Sequence, residues 1–306
     1  MRQISKLMFM ILIGFSIVVS SSVLAYGDEN VDVIDEFAGE PIVVYGDNLS
    51  DSQKEEVKNL LNVNSEAAHE LSVTGQDIAK YIGGNPNSNM YSSAKITHKK
   101  SGHGIVVNIV TADNITEVTS DMYLNALITA GVENASVDVA SPIAVTGHSA
   151  LTGIYKAYDA IGEDLDTERM KVANEELEIS TELADREGMS DEKIASLMAE
   201  IKKAIAEQNP ATREDIEKIV EEQLDKLEIS LSEEDRQLLI DLFDKIKDLD
   251  IDFDKLKDQL NDIASSITEK LDDLDIEIDR GFFESILDFI RDIIDSIAGI
   301  FSSNND

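Results

Sequence analysis

The chain has 306 residues, no cysteine and a formal net charge of −36 at pH 7. A chain without cysteine cannot hold a disulfide framework, and a chain of this length buries enough apolar surface to fold without one. Its 62 acidic side chains against 26 basic ones repel phosphate backbones and anionic lipid headgroups, because binding to those partners relies on lysine and arginine. Nucleic acid is therefore excluded as an expected partner, whereas divalent cations and basic partners are permitted.

The first residues have the pattern of a secretory signal peptide. Arg2 and Lys6 precede an apolar run that ends at Val19, and small residues then lead to Ala25. The apolar run is about 13 residues long, which is shorter than the ~20 residues that a membrane-spanning helix needs. We predict that residues 1–25 are removed and that the protein is secreted, or held at the wall or the membrane surface outside the cytoplasm, with no transmembrane segment after cleavage.

Periodicity divides the rest of the chain. Residues 26–40 read as a flexible acidic leader. From residue 41 to 162, β-rich runs alternate with amphipathic helical patterns, which predicts an α+β domain with a mixed β-sheet. From residue 163 to 306 helical patterns dominate, which predicts a predominantly α-helical C-terminal domain of about six helices. Acidic residues are concentrated there, since the chain from residue 161 onward carries 43 acidic and 17 basic residues.

The predicted elements of the α+β domain are bounded by turn and capping residues. In chain order they are a strand at 41–46, a helix capped by Ser50 and Gln53, a strand at 70–73, a helix at 74–82, strands at 91–98 and 104–111, a helix at 121–130, extended segments at 136–140 and 143–146, and a helix at 149–161. The strands on either side of Lys99 to Gly102 are predicted to form a hairpin. Ser120 is the predicted N-cap of its helix, and Gly131 is placed for the left-handed position at its end.

The second domain has helix-opening residues at Thr167, Ser190, Thr212 and Ser232. Its last segment, 282–301, is the most apolar helical pattern after the signal peptide. We expect this helix to pack into its own domain, with self-association as the alternative.

One segment has the setting of a catalytic turn. Gly147, His148 and Ser149 follow an extended segment and precede a helix, as in a hydrolase nucleophile elbow. The elbow requires a glycine two residues after the serine and a histidine later in the chain, and both are missing. No catalytic residue is therefore predicted. A glycine-permitted turn is the simplest interpretation, and a small anion-binding site formed by Thr146, His148, Ser149 and Thr152 is the alternative.

Metal-binding patterns are weak. His98 and His103 flank the predicted hairpin turn, where two histidines can approach each other. The alternating aspartates from Asp248 to Asp254 lack the glycine and the glutamate of a calcium loop in either register. We therefore predict no cofactor and no dedicated metal site, although weak binding of Ca²⁺ or Mg²⁺ by the acidic chain is allowed.

Three stretches, 122–132, 137–142 and 145–158, resemble the YpuA-like family of secreted Gram-positive proteins, known as domain of unknown function 1002. Their strings NALITAGV and ALTGIYKAY carry the resemblance, and the early strand and the helical second half agree with it. The resemblance implies an envelope or secreted protein, and it supplies no catalytic residues.

The resulting hypothesis is a non-enzymatic envelope protein that binds a wall component, a partner protein or cations through its α+β domain. Two alternatives stay open. One is an extracytoplasmic hydrolase that uses carboxylates, and the other is an acidic protein that binds divalent cations.

Overall fold

The computed structural model describes residues 40–186, 189–249 and 251. The strands are β1 (Pro41–Gly46), β2 (His69–Val73), β3 (Ser93–His98), β4 (Ile105–Ile109) and β5 (Ala135–Ala140). The α-helices are α1 (Asp51–Leu60), α2 (Gly75–Ile82), α3 (Ser120–Ala130), α4 (Ser149–Ala160), α5 (Thr167–Ala184), α6 (Asp191–Gln208), α7 (Arg213–Lys226) and α8 (Glu233–Asp248). A mixed sheet followed by helices confirms the predicted fold class. The predicted signal peptide, the leader up to residue 39 and the terminal helix at 282–301 lie outside the described residues.

The five strands form one sheet in the order β2-β1-β3-β5-β4. Strand β1 pairs parallel with β2 and antiparallel with β3, while β5 pairs antiparallel with β3 and parallel with β4. The predicted hairpin between β3 and β4 is therefore wrong, because β5 lies between them. The connecting segment bonds to the residue that precedes β5 instead of closing a turn: Lys99 N donates to the carbonyl of Asn134, and the amides of His103 and Gly104 donate to its Oδ1.

Helix boundaries follow local capping chemistry. The predicted N-cap Ser120 is wrong, since Thr119 has the extended backbone of a cap and its hydroxyl accepts from the amide of Met122. Gly131 is left-handed as predicted, with φ +96°. The predicted caps of α6, α7 and α8 are confirmed, whereas Asp166 caps α5 immediately before Thr167. The predicted extended segment at 143–146 is reduced to a single bridge between Val145 and Ile115.

Helices cover both faces of the sheet. Helices α3 and α4 bury one face, and α1 covers part of the other through Val57 and Leu61, which pack against Val43 and Tyr45. A second apolar core lies among α5 to α8. Helix α5 contributes to both cores, so it joins the sheet region to the helical region. Within the described part of the chain, no helix combines the length and the apolar character needed to cross a bilayer.

A buried polar cluster, which we call the interior cluster, fastens α3 to α5 and α6. Lys202 and Glu176 are each 1% exposed, and Lys202 Nζ lies 2.5 Å from Glu176 Oε1. The hydroxyl of Thr129 donates to Glu176 Oε2 at 2.6 Å, and Lys202 also donates to the carbonyl of Asn125 at 2.7 Å. Buried charges are stable only when they are paired. The ion pair between Lys202 and Glu176 therefore fixes how the helical region packs against the sheet region.

Candidate functional site

The four residues of the predicted anion site surround the start of α4 but differ in accessibility. Thr146 is exposed, His148 and Ser149 are half-buried, and Thr152 is only 1% exposed. Gly147 has φ +109°, and a Cβ there would lie 2.8 Å from the Tyr123 hydroxyl, so the turn requires glycine. The structure therefore places these residues in one segment without exposing Thr152 to a ligand.

Polar groups of this turn already form hydrogen-bond contacts with other parts of the protein. The Tyr123 hydroxyl donates to the carbonyl of Gly147 at 2.6 Å, and His148 Nε2 lies 3.3 Å from the hydroxyl of Thr181 on α5. Burial lowers the pKa of His148 below its usual range, and this outweighs the opposing effect of Glu117 and Glu178. A neutral imidazole adds no positive charge for an anion. The anion site therefore stays a prediction without further support from the geometry.

His98 and His103, which flank the predicted hairpin turn, have separate surroundings. His98 is buried edge-on to Tyr158, with ring centroids 4.7 Å apart, and burial lowers its pKa. His103 is exposed, and its Nδ1 lies 3.2 Å from the carbonyl oxygen of Gly104. Among the described residues, no three histidine, aspartate or glutamate side chains are grouped to hold a metal ion. Most of the aspartate run that begins at Asp248 falls outside those residues.

A small pocket opens at the other end of α4, where the sheet region meets α5. Its volume is about 150 Å³. It is lined by residues from α2, α4, the α4–α5 connection and the first turns of α5, namely Lys80, Tyr81, Tyr155, Asp159, Glu163, Asp164, Leu165, Thr167 and Met170. Gly162 lies in this connection with φ +79°, which turns the chain so that the residues after it line the pocket.

Three of these side chains form a hydrogen-bonded group that we call the rim trio. Lys80 Nζ lies 2.6 Å from Asp159 Oδ2, and the Tyr81 hydroxyl donates to the same oxygen at 2.8 Å. Lys80 Nζ also lies 3.3 Å from the Tyr81 hydroxyl oxygen. A second ion pair between the same helices, Lys156 to Asp77 at 2.8 Å, holds α2 against α4. The pocket wall is thus fixed by two cross-helix ion pairs.

The pKa values of all three rim-trio side chains are shifted further away from neutral pH. Hydrogen bonds from Lys80 and Tyr81 lower the pKa of Asp159, and the bond to Asp159 raises the pKa of Lys80. Burial, together with the bond to Asp159, raises the pKa of Tyr81 to about 12. The trio therefore keeps one protonation state around pH 7.

Glu163 is the exception among the pocket carboxylates. Burial raises its pKa, and the neighbouring carboxylate of Glu133 raises it further. Asp159 and Glu163 thus have pKa values displaced in opposite directions in one pocket, which is an arrangement found in sites that use one ionised and one protonated carboxyl.

Sequence reasoning missed this pocket. Its rim residues Tyr81 and Asp159 are 78 positions apart and lie at the ends of different helices. The one local signal is that Tyr155 and Asp159 are four residues apart and share a face of α4. Many of the 62 acidic residues of the chain have comparable spacing, so that signal does not single out these two.

The fold and the pocket define an α+β protein with a five-stranded mixed sheet, whose helix α3 packs against helices α5 and α6 of a helical region. The chain belongs to the family described as "Protein of unknown function (DUF1002)", whose model matches residues 45–263. It is 36% identical over 291 residues to a protein of Bacillus subtilis (strain 168) named "Uncharacterized protein YpuA", covering 92% of this chain and 97% of that relative. No solved structure matches the chain.

Proposed function

We propose that the protein is an exported, non-enzymatic component of the cell envelope that binds a wall component, a partner protein or a cation through its α+β domain. The signal-peptide pattern of residues 1–25 supports export. The pocket at the carboxyl end of α4 is the surface that we assign to binding.

The state of the rim trio is the observation that carries the binding function. A general acid or base works best when its pKa lies near the operating pH. Lys80 and Tyr81 have raised pKa values and Asp159 has a lowered one, so all three are displaced from that range. Such groups present fixed charges and fixed hydrogen bonds, which suits recognition better than proton transfer.

The second candidate function is a hydrolase in which Glu163 is the acid and Asp159 the ionised partner. The opposite displacement of their pKa values is the observation that favours it. This candidate requires a measurable hydrolytic activity that the substitution Glu163→Gln abolishes. The control Glu217→Gln changes an exposed residue of α7 and should leave that activity intact. Full turnover in the Glu163→Gln protein removes this candidate.

Fractionation of cells that express the chain tests the binding function. We expect a processed form in the washed wall fraction, and we expect Lys80→Met to reduce its retention at least threefold. The control Lys218→Met removes the same charge from an exposed site on α7 and should retain the protein normally. Recovery only inside the cells would contradict export, and recovery only in the medium would contradict envelope binding.

A further inference from the structure

One edge of the sheet is open to a further strand. Strand β4 ends the strand order, and within the described part of the chain it pairs only with β5. The carbonyl of Gly104 and the amide of Val110 both bond to β5. Because backbone groups alternate along a strand, those of Ile105, Val107 and Ile109 point away from β5. Strand β4 therefore presents a row of amides and carbonyls to which another extended chain can bond.

Two apolar side chains lie along this edge. Val106 and Val110 are 50% and 36% exposed, and no other large apolar side chain of the described residues is exposed. They share one face of β4 with Asn108, which is also exposed, whereas Ile105 on the opposite face is buried. The edge therefore offers an apolar contact beside its free backbone groups.

The charges at the two ends of β4 are opposite. Lys99 and Lys100 precede the strand and Asp113 follows it, and all three side chains are exposed. A second copy that pairs antiparallel with β4 brings the lysines of each copy towards the aspartate of the other, whereas parallel pairing brings like charges together. The net charge of −36 makes two copies repel, but at ~0.15 M salt this repulsion is screened beyond ~8 Å. Local charge therefore favours an antiparallel partner of the same sequence.

One register satisfies the valines and the backbone together. When the twofold axis passes through Asn108, Val106 of each copy lies directly opposite Val110 of the other. In the same register Val107 exchanges backbone hydrogen bonds with Ile109 of the second copy, and both residues have their backbone groups on the free side. The valines then occupy non-hydrogen-bonded pairs, in which the side chains of facing residues lie closest.

We propose that two copies of the protein join antiparallel through β4 in this register and form one continuous sheet. The partner is a second copy because a single edge supplies the valines, the bonding groups and the complementary charges to both sides of a twofold contact. The inference is independent of the pocket and of envelope binding. A contact limited to one short strand is smaller than the ~1,200–2,000 Å² of standard interfaces, so we expect a reversible dimer that depends on protein concentration.

Two matched double changes test the pairing. Val106→Lys with Val110→Lys places like charges across the strand pair, whereas Val106→Lys with Val110→Glu places opposite charges there. Sedimentation velocity of the exported full chain at ~0.15 M salt measures the dimer dissociation constant. We expect the first variant to raise this constant at least tenfold and the second to leave it within threefold of the unchanged protein. Thermal melting verifies that both variants fold.

The control Glu217→Gln with Glu222→Gln matches the net charge change of the first variant at exposed positions of α7, and it should leave the dimer unchanged. A protein that is monomeric at all concentrations overturns the inference. A dimer that survives the like-charge change also overturns it and assigns association to another surface, such as the predicted helix at 282–301. Equal loss of the dimer in both double variants overturns the register.

A cross-link locates the contact directly. The chain has no cysteine, so Asn108→Cys introduces a single thiol on the proposed twofold axis. The Cα atoms of a non-hydrogen-bonded antiparallel pair are ~4.5 Å apart, within the ~4.4–6.8 Å that disulfides span. Mild oxidation should therefore give a covalent dimer on a non-reducing gel, whereas the exposed control Glu217→Cys should stay monomeric. No cross-link at Asn108, or equal cross-linking of the two variants, overturns the inference.

Discussion

The interior cluster and the rim trio use the same chemistry in different surroundings. Each contains a lysine, a carboxylate and a hydroxyl that donates to the carboxylate. In the interior cluster Lys202 and Glu176 are both 1% exposed, whereas in the rim trio the side chains of Lys80 and Asp159 are 57% and 41% exposed. Burial lowers the pKa of Lys202, while the bond to Asp159 raises that of Lys80.

The difference separates a structural role from a binding role. Buried charges lose their water and depend wholly on each other, so removal of one leaves the other without compensation. Half-exposed charges keep much of their hydration, and their pairing contributes little to stability. The interior cluster therefore holds α3, α5 and α6 together, and the rim trio remains available to a ligand at small cost to the fold.

The largest expected effect is at the interior cluster. Lys202→Met should lower the free energy of unfolding by ~3–5 kcal/mol, because Glu176 is left as an unpaired buried charge. Lys80→Met should change it by less than about 1 kcal/mol, because the rim is open to water. Urea unfolding followed by circular dichroism measures both. A similar loss in the two variants would contradict the contrast between the clusters.

Removing the hydroxyl groups of Thr129 and Tyr81, one from each cluster, should cause smaller losses in the free energy of unfolding. Thr129→Val keeps the side-chain shape but removes the bond to Glu176 Oε2, and we expect it to lower the free energy of unfolding by ~1–3 kcal/mol. Tyr81→Phe removes the corresponding bond to Asp159, which water can replace, so the expected loss is about 0.5 kcal/mol or less. The same urea titrations decide the order, and a greater loss for Tyr81→Phe would reverse the assignment of roles.

The smallest effect is the pH dependence caused by Glu163. Its pKa is raised in the folded protein by burial and by Glu133, so the folded state binds this proton more tightly than the unfolded chain does. Ionising Glu163 in the folded protein therefore costs stability. This cost is absent at a pH below the pKa of Glu163 in the unfolded chain, and it grows as the pH rises through the higher pKa of the folded protein. Glu163→Gln should therefore gain stability relative to the unchanged protein as pH rises from about 4 to 7.

Melting temperatures of Glu163→Gln and of the exposed control Glu217→Gln, measured across this pH range, give the comparison. A constant difference between Glu163→Gln and the unchanged protein would show that Glu163 is ionised without penalty. An equal gain in the control would assign the effect to the net charge of the chain.

The sequence predicts most of the fold because its elements carry local signals. Capping residues such as Ser50 and Ser190, and the left-handed Gly131, mark helix ends that depend only on neighbours in the chain. Strand order has no such signal: β5 lies between β3 and β4 because it pairs with both strands, and those pairings join residues that are distant in the chain.

The pocket could not be predicted for a related reason. It exists because the ends of α2 and α4 lie near the start of α5, and its charged residues resemble many others on an acidic chain. The turn at Gly147 is predictable because positive φ selects glycine locally, but the burial of Thr152, five residues later, depends on packing from distant elements.

The central place of β5 has a consequence for synthesis. Strands β3 and β4 both emerge before β5; until residues 135–140 enter between them, β3 is paired on one edge with β1 and β4 has no partner strand in the described sheet. Unpaired edges accept other extended chains, including those of neighbouring molecules. The nascent sheet therefore stays incomplete until nearly half of the chain has been made.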